Sequence, residues 1–389
     1  MASISLTEVS KQYVSSAYAV ESLDLEIEDG EFFGLLGPSG SGKTTVLRMV
    51  AGLESPTGGS ISFDGHDVAR KTPQARNVAM IFEQNALYPH MTVRQNISYP
   101  LKIQKMPKAE QANSVAHMSD LLGIGHLLDR RPTQMSGGQQ QRVAVARALV
   151  RTPAVCCMDE PIAHLDAALR GRLRGDLRRL QQSLGITSVI VTHDPIEAMT
   201  MTDRVAVMRE GLLQQVGSPR DIHDNPVNAF VAQFFGLHTM NQVSGTLDGD
   251  SGDSGDSGDS GGTATIAGST VLLPHRLRAA LGRRHHSFTL GIRPELVTVR
   301  RGAAPLSSSD AAVVLPGSVY VSETLGEGNF VRVRVGDSMV HAITSGGASY
   351  GIDEVVTVSL PVDRLYVFAG EGDATVSRPE ITTPAEATL

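Results

Sequence analysis

The sequence predicts an α/β fold with a parallel core sheet, followed by a second domain of β-strands. The first observation is a glycine-rich turn, Gly37-Pro38-Ser39-Gly40-Ser41-Gly42-Lys43-Thr44, between the apolar run Phe32 to Leu36 and the helix-like segment Thr45 to Gly52. The second is a set of short runs that are apolar on both faces, as the strands of a covered parallel sheet are. The third is the alternation of valine with arginine in Val331 to Val335, which is typical of a strand with one buried face.

The glycine-rich turn is predicted to bind the phosphates of a nucleotide. Glycines let successive backbone N–H groups converge on phosphate oxygens, and the positive end of the following helix adds to the attraction. Lys43 then reaches the β- and γ-phosphates, Thr44 offers a hydroxyl to Mg²⁺, and Thr45 is placed for the α-phosphate. A purely structural turn is the alternative, but the complete G-x(4)-G-K-T pattern between strand and helix favours the phosphate site.

Length and composition indicate a multidomain protein without a membrane span. A chain of 389 residues predicts two or three domains. No apolar stretch is long enough to span a bilayer and the N-terminus has no signal pattern, so a cytoplasmic location is expected. Cys156 and Cys157 lie together in an apolar run, which predicts buried free thiols. Five aspartates between Asp248 and Asp259 account for most of the net charge of −7, and the near-neutral remainder argues against a nucleic-acid surface.

The remaining elements follow in an order that suits a sheet covered by helices. Leu23, Leu25 and Ile27 alternate with acidic residues, which predicts a strand with one buried face. Further strands are predicted at Glu31 to Leu36, Ser60 to Asp64, Val78 to Phe82, Ala154 to Met158 and Ser188 to Thr192. Helices are predicted within Met91 to Leu128, with breaks at Pro107 and Gly123, and at Gln139 to Val150, Arg170 to Leu184 and Pro219 to Gly236, with a hairpin at Arg204 to Val216.

Other candidate side chains stand at the ends of these elements. Ser136 precedes two glycines at a helix start, where the same anion-binding geometry applies, although such a pair alone is usually structural. Asp159 and Glu160 end an apolar strand; since paired carboxylates are costly to bury, one is expected to hold Mg²⁺ and the other to orient a water for attack on the γ-phosphate. His193 also follows a strand, where a lone histidine is most often structural. Tyr13 is either an adenine-stacking ring or an ordinary edge-strand tyrosine.

Together these segments resemble the nucleotide-binding domain of ATP-binding-cassette transporters, a P-loop cassette with a helical subdomain (about residues 86–150) and an antiparallel β subdomain. The resemblance implies that Tyr13 stacks on adenine, Glu160 is the general base and His193 senses the γ-phosphate. It also implies that Asp166 communicates across a dimer, and that the signature turn completes the ATP site of the opposite protomer, so that two identical chains form two shared sites. The signature residues are Ser136, Gly137, Gly138 and Gln139.

The resemblance extends to the subfamily of carbohydrate importers of the maltose, glycerol-phosphate and trehalose type. Ala86 to Val93 is similar to that subfamily, and Gly291-Ile292-Arg293-Pro294-Glu295 matches its C-terminal regulatory domain, a small all-β barrel of the oligonucleotide/oligosaccharide-binding type. Leu365 to Phe368 is similar to its closing strand. The implied domains are a nucleotide-binding domain at 1–236, a connector at 237–247, a linker at 248–262 and a regulatory domain at 263–389.

The linker is a period-three repeat of aspartate, serine and glycine that runs from Asp250 to Gly261. It has no apolar residue and is predicted to be a flexible, self-repelling spacer. A calcium-binding glycine–aspartate solenoid is the alternative, but it needs a nine-residue period with an apolar position in each turn.

Three residues depart from the family pattern. Met135 stands where leucine is usual, and this near-isosteric change is expected to have no effect on function. His164 replaces a small or amide residue. Glu83 stands where the family has a glutamine, so it is predicted to bind Mg²⁺ with Thr44 and Asp159. A shift of one residue in register would give that role to Gln84.

The resemblance implies an ATPase that uses ATP and Mg²⁺ to drive the import of a sugar or sugar-like solute. The expected assembly is a homodimer, peripheral on the cytoplasmic face of the plasma membrane, that contacts two membrane permeases through residues 83–93 and receives solute indirectly from an extracytoplasmic binding protein. A cassette ATPase acting on nucleic acid or ribosomes is disfavoured because the chain has one cassette, no long helical insert and no basic stripe. An exporter subunit is disfavoured by the C-terminal β domain.

Overall fold

The computed structural model describes residues 2–13, 17–248, 262–282, 285–303, 307–308, 311–326, 328–345, 349–370 and 373–379. It contains two compact units, Met1–Arg220 and Asp221–Leu389. The boundary predicted after residue 236 therefore falls inside the second unit. The predicted linker lies outside the described residues, except for Asp248 and Gly262 at its ends.

The first unit has the predicted α/β organisation. Its strands are β1 (Ile4–Gln12), β2 (Tyr18–Ile27), β3 (Phe32–Leu36), β4 (Gly58–Phe63), β5 (His66–Asp67), β6 (Val78–Ile81), β7 (Val155–Asp159), β8 (Thr187–Thr192), β9 (Arg204–Arg209) and β10 (Leu212–Gly217). Its helices are α1 (Lys43–Ala51), α2 (Pro73–Arg76), α3 (Val93–Ile103), α4 (Lys108–Leu121), α5 (Gly137–Leu149), α6 (Ala167–Leu184) and α7 (Pro195–Met201). The sequence boundary between the two units falls within the next helix, α8 (Pro219–Asp224).

The central sheet has the strand order β10-β9-β3-β8-β7-β6, and all its neighbours pair in parallel except β9 and β10. Alternate residues of β7 pack on opposite sides. Val155 and Cys157 join the cluster that contains the apolar face of α1, whereas Cys156 and Met158 join the cluster formed with α3, α5 and α6. Both faces are therefore covered, which explains why these strands are apolar throughout.

Both cysteines are free and buried, as predicted. Burial raises the pKa of Cys156 to about 12, so its thiol stays protonated and unreactive at neutral pH.

A second, antiparallel sheet of the first unit has the order β2-β1-β4-β5. The predicted hairpin is formed by β9 and β10, and it turns through Glu210 (φ 52°) and Gly211 (φ 82°). Two central residues with positive φ give a turn whose twist matches that of the flanking strands.

The helical segment predicted within Met91 to Leu128 contains α3 and α4, and α5 corresponds to the helix predicted at Gln139 to Val150. Thr92 and Gln95 form a capping box at the start of α3, and Ser136 and Gln139 form another at the start of α5. Pro107 precedes α4 and Gly123 (φ 64°) follows it, which confirms both predicted breaks. In the described part of the chain, no helix has the length and apolar character needed to cross a membrane.

The second unit is built mainly of antiparallel β-structure. Its strands are β11 (Asn241–Leu247), β12 (Thr263–Ile266), β13 (Ser269–Leu272), β14 (Ser287–Ile292), β15 (Thr298–Arg301), β16 (Ser307–Ser308), β17 (Ala312–Leu325), β18 (Gly328–Val335), β19 (Ser338–Ser345), β20 (Val355–Pro361), β21 (Tyr366–Ala369) and β22 (Ala374–Ser377). The described residues also form helices α9 (Ala229–Phe234) and α10 (His275–Leu281). One sheet has the order β13-β12-β11-β14-β21-β22, and the other has the order β15-β20-β17-β18-β19 with β16 beside β17.

The structure corrects the predicted connector at 237–247, because most of it is strand β11 in the interior of a sheet, between β12 and β14. Its inward-facing residues include Asn241, Val243 and Gly245. A buried face with so little apolar side chain gives a weak periodic signal, which is why the sequence pattern missed the strand.

The motif from Gly291 to Glu295 has a structural role in the second unit. A Cβ on Gly291 would lie 2.6 Å from a ring carbon of Phe368, so the strand pairing leaves no room for a side chain there. The buried guanidinium of Arg293 donates to the carbonyls of Ala232 (3.2 Å) and His223 (3.3 Å). Through Arg293, the motif links the end of β14 by hydrogen bonds to α8 and α9 at the start of this unit.

Candidate active site

The glycine-rich loop connects the carboxyl end of β3 to α1, in the strand–loop–helix context that was predicted. A Cβ on Gly37 would lie 2.3 Å from the Met208 carbonyl oxygen, and one on Gly42 would lie 2.4 Å from that of Ala19. Gly42, the N-cap of α1, also has a φ of 96°. Only glycine fits these positions, so the first N–H groups of α1 are presented without an obstructing side chain.

Lys43 folds back across this loop and is buried. Its Nζ donates to the carbonyls of Gly37 and Pro38, both at 2.8 Å, and lies 3.4 Å from Ser41 Oγ. Burial lowers the pKa of the ammonium, and the carboxylates at the end of β7 oppose that shift. The loop therefore encloses a cation at the place where the sequence predicts phosphate.

Asp159 ends β7 beside the loop, and its Oδ1 accepts a hydrogen bond of 3.3 Å from Thr44 Oγ1. Burial raises the pKa of Asp159, the Thr44 hydroxyl and Arg48 lower it, and Glu160 and Glu83 raise it. The three predicted metal ligands come at or after the carboxyl ends of the parallel strands β3, β7 and β6, so they lie at one edge of the sheet.

These residues fit the magnesium ion that accompanies a nucleotide. Magnesium prefers oxygen ligands and takes one or two carboxylates together with phosphate oxygens. Thr44, Asp159 and Glu83 offer a hydroxyl and two carboxylates. Among the described residues, no group of three histidine, cysteine, aspartate or glutamate side chains is arranged to hold a metal by itself.

Glu160 follows in a strained backbone conformation, with a φ of 43°. Its N–H donates to the Val191 carbonyl of β8 (3.0 Å), and Pro161 disfavours the right-handed helical alternative. Glu160 Oε2 lies 2.9 Å from Nδ1 of His193, which follows β8. A non-glycine residue in this region costs about 1–3 kcal/mol and such strain concentrates at functional sites, so the pair is a strong candidate for the chemistry.

The signature turn, residues 136–139, lies at the start of α5 in the first unit. Ser136 Oγ accepts a hydrogen bond from the Gln139 N–H (3.4 Å), and Gln139 Oε1 accepts one from the Ser136 N–H (3.1 Å). A Cβ on Gly138 would lie 2.5 Å from Leu169 of α6, whose N–H is capped by Asp166 at 2.9 Å. The turn and Asp166 are therefore neighbours in one protomer, and their roles at a partner's site stay predictions.

Tyr13 directly follows β1, and its ring is exposed with Lys11 Nζ 5.1 Å from the ring centroid. The ring is accessible, and its stacking on adenine stays a prediction.

The structure adds two residues that the sequence analysis missed, Arg147 and Asn96, which hold the segment after Glu83. Arg147 of α5 donates to the carbonyls of Ala86 (2.9 Å) and Asn85 (3.2 Å), and its guanidinium lies 5.4 Å from the ring centroid of Tyr88. The fully buried Asn96 accepts from Tyr88 N–H (2.9 Å) and donates to the Tyr88 carbonyl (3.1 Å). Arginine and asparagine are commonly exposed on helices, so no sequence signal separates these two from their neighbours.

We expect Arg147→Ala to loosen the segment 85–88 and to destabilise the first unit by about 1–3 kcal/mol, because it leaves two carbonyls without their donor. Urea unfolding measures the loss, and hydrogen exchange locates it. Arg172→Ala, which removes an exposed arginine from α6, is the matched control. Equal exchange at 85–88 in both variants would show that Arg147 does not hold the segment.

The comparisons with known proteins agree with this geometry. The sequence pattern of the ABC transporter family matches residues 20–163. The chain is 44% identical over 388 residues to the xylose/arabinose import ATP-binding protein XacK of Haloferax volcanii, covering 97% of this chain and 96% of that protein. It is 43% identical over 350 residues to the trehalose/maltose import ATP-binding protein MalK of Thermococcus litoralis, covering 86% and 89%.

A solved structure is also similar to the first part of the chain. The dimeric ATP-binding cassette MJ0796, in a post-hydrolysis state with ADP and Pi, superposes with a TM-score of 0.50 at 29% identity. The match covers 55% of this chain and 98% of that one.

The fold and the loop around Lys43 define a P-loop nucleotide-binding protein. The chain belongs to the ATP-binding-cassette transporter family. Within that family it is an ATPase subunit of the carbohydrate-importer type, which confirms the predicted fold class and resemblance.

Proposed function

We propose that this protein hydrolyses ATP with Mg²⁺ to drive the uptake of a sugar or sugar-like solute through partner membrane permeases. The observation that carries the proposal is the convergence of the Lys43 loop, the Thr44–Asp159 pair and the Glu160–His193 pair at one edge of the central sheet. Phosphate binding, metal binding and activation of water are the three tasks that ATP hydrolysis requires.

Each part of the edge has one of these tasks. The backbone of residues 37–45 and the Lys43 ammonium bind the phosphates of ATP. Thr44, Asp159 and Glu83 hold Mg²⁺, which neutralises charge on the phosphates. Glu160 accepts a proton from the attacking water, while His193 keeps its carboxylate in place.

The remaining residues act between molecules in this proposal. Tyr13 stacks on adenine, and the signature turn with Asp166 completes the site of a second copy of the chain. Residues 83–93 contact two permeases at the cytoplasmic face of the membrane, and an extracytoplasmic binding protein delivers the solute to them.

The solute class is supported by relatives that match nearly the whole chain, including the second unit. XacK is named for xylose and arabinose, and MalK is named for trehalose and maltose. Both are import proteins, which favours import over export or action on nucleic acid. Since their solutes differ in size, the proposed solute class is sugars and sugar-like solutes in general.

Reconstitution tests this function. The chain is co-expressed with membrane permeases that copurify with it, and the complex is placed in proteoliposomes. Uptake of labelled pentoses, disaccharides, glycerol phosphate and amino acids is then measured with ATP. We expect ATP-dependent accumulation of at least one saccharide or glycerol phosphate, and none with Glu160→Gln. Accumulation of amino acids alone would overturn the proposed solute class.

A further inference from the structure

Two residues that depart from the family pattern, Glu83 and His164, are in contact. His164 Nε2 lies 2.9 Å from Glu83 Oε1, although the residues stand far apart in the sequence. Glu83 follows β6, whereas His164 lies after β7, between Glu160 and Asp166. A histidine in place of a small or amide residue is thus positioned against a carboxylate in place of an amide.

The carboxylate at position 83 creates an electrostatic problem that the histidine can relieve. Glu83 adds negative charge beside Asp159 and Glu160, and like charges that share a site disfavour one another. An imidazole that donates its Nε2–H to Glu83 Oε1 offsets part of this charge, whether or not the ring is protonated. A carboxylate has two oxygens, so Oε2 stays available to a cation.

The contact contributes little to the stability of the fold, since both side chains are largely exposed. Their exposed fractions are 66% for His164 and 49% for Glu83, and exposed ion pairs contribute little to folding. In contrast, groups that hydrogen-bond a metal ligand orient it and strongly affect metal affinity. We therefore expect the Glu83–His164 pair to affect the affinity for the metal ion.

We propose that His164 is a positioning residue for Glu83, which it holds by one oxygen so that a carboxylate can serve in this chain as a magnesium ligand of the bound nucleotide. The proposal rests on the proposed function, because it takes Glu83 as one of the magnesium ligands. It also makes the contact a link between the proposed permease-facing segment 83–93 and the segment that leads to Asp166.

A double-mutant cycle tests the proposal by binding rather than by activity. The full chain is titrated with Mg²⁺ in the presence of a fluorescent non-hydrolysable ATP analogue, and the Mg²⁺ concentration at half-maximal binding is compared among variants. We expect His164→Ala to raise this concentration about tenfold when residue 83 is glutamate. In the Glu83→Ala background it should change by less than about twofold, because the acceptor of the His164 hydrogen bond is already absent.

Further variants distinguish positioning from a general structural effect. His164→Gln retains an N–H donor and should restore part of the affinity, while His126→Ala, at another exposed histidine, should have no effect. Nucleotide binding in EDTA should be the same in all variants. Equal shifts by His164→Ala in both backgrounds, or no shift in either, would overturn the proposal.

The magnesium assignment is tested separately in the same titration. Glu83→Ala should raise the half-maximal concentration, Glu83→Gln should largely preserve it, and Gln84→Ala should be mild. A large effect of Gln84→Ala with a silent Glu83→Ala would shift the register and overturn both the assignment of Glu83 and the role of His164. If the parent chain does not bind the nucleotide at all, the proposed ATPase function itself fails.

Discussion

Replacing Glu160 with glutamine should reduce ATP hydrolysis by about 10²–10⁴-fold and leave ATP binding intact. The change removes the proton acceptor but keeps the shape of the side chain, while Lys43 and the glycine loop are unaltered. Phosphate release measures turnover, and equilibrium binding of a fluorescent ATP analogue measures affinity.

Glu110→Gln is the matched control, since Glu110 is an exposed carboxylate in the first turn of α4. It should hydrolyse ATP at the parental rate. If Glu160→Gln also keeps the parental rate, another group accepts the proton and Glu160 has no role as the base.

Mixing two inactive variants should restore hydrolysis if the ATP sites are shared between protomers. Lys43→Ala disables the phosphate loop, and Ser136→Ala disables the signature turn, so each homodimer has two defective sites. A mixed dimer collects both defects in one site and leaves the other whole. With random pairing, about a quarter of all sites should be intact, and phosphate release should reappear.

The control for this mixture is a chain that carries both substitutions, combined with Lys43→Ala. No pairing of these two chains yields an intact site, so no activity should return. Affinity tags on the two partners confirm that mixed dimers form. Mixed dimers that form and stay inactive would contradict the shared-site arrangement.

The sequence predicted the elements of the first unit well because its strands are apolar on both faces and its helices have clear start signals. Ser136 and Thr92 each begin a capping box, and Pro107 marks the start of a helix. The elements around the phosphate loop could be predicted because the complete G-x(4)-G-K-T pattern between a buried strand and a helix favours a phosphate site over a purely structural turn.

The parts that were missed depend on tertiary contacts that have no local signal. β11 buries asparagine and glycine beside valine, so its alternation is faint. The role of Arg147 is visible only from its hydrogen bonds to two carbonyls that lie about sixty residues earlier in the chain. Glu83 and His164 are each unusual by themselves, but only the folded chain shows that they meet.

The close approach of the phosphate loop to the β9–β10 hairpin has a consequence for synthesis of the protein. Gly37 lies against the Met208 carbonyl, and Gly211 N–H donates to the Ser41 carbonyl at 3.2 Å. The loop leaves the ribosome early, but the residues that brace it emerge more than 150 residues later. A chain that stalls before residue 208 therefore lacks the contacts that brace the phosphate loop in the folded protein.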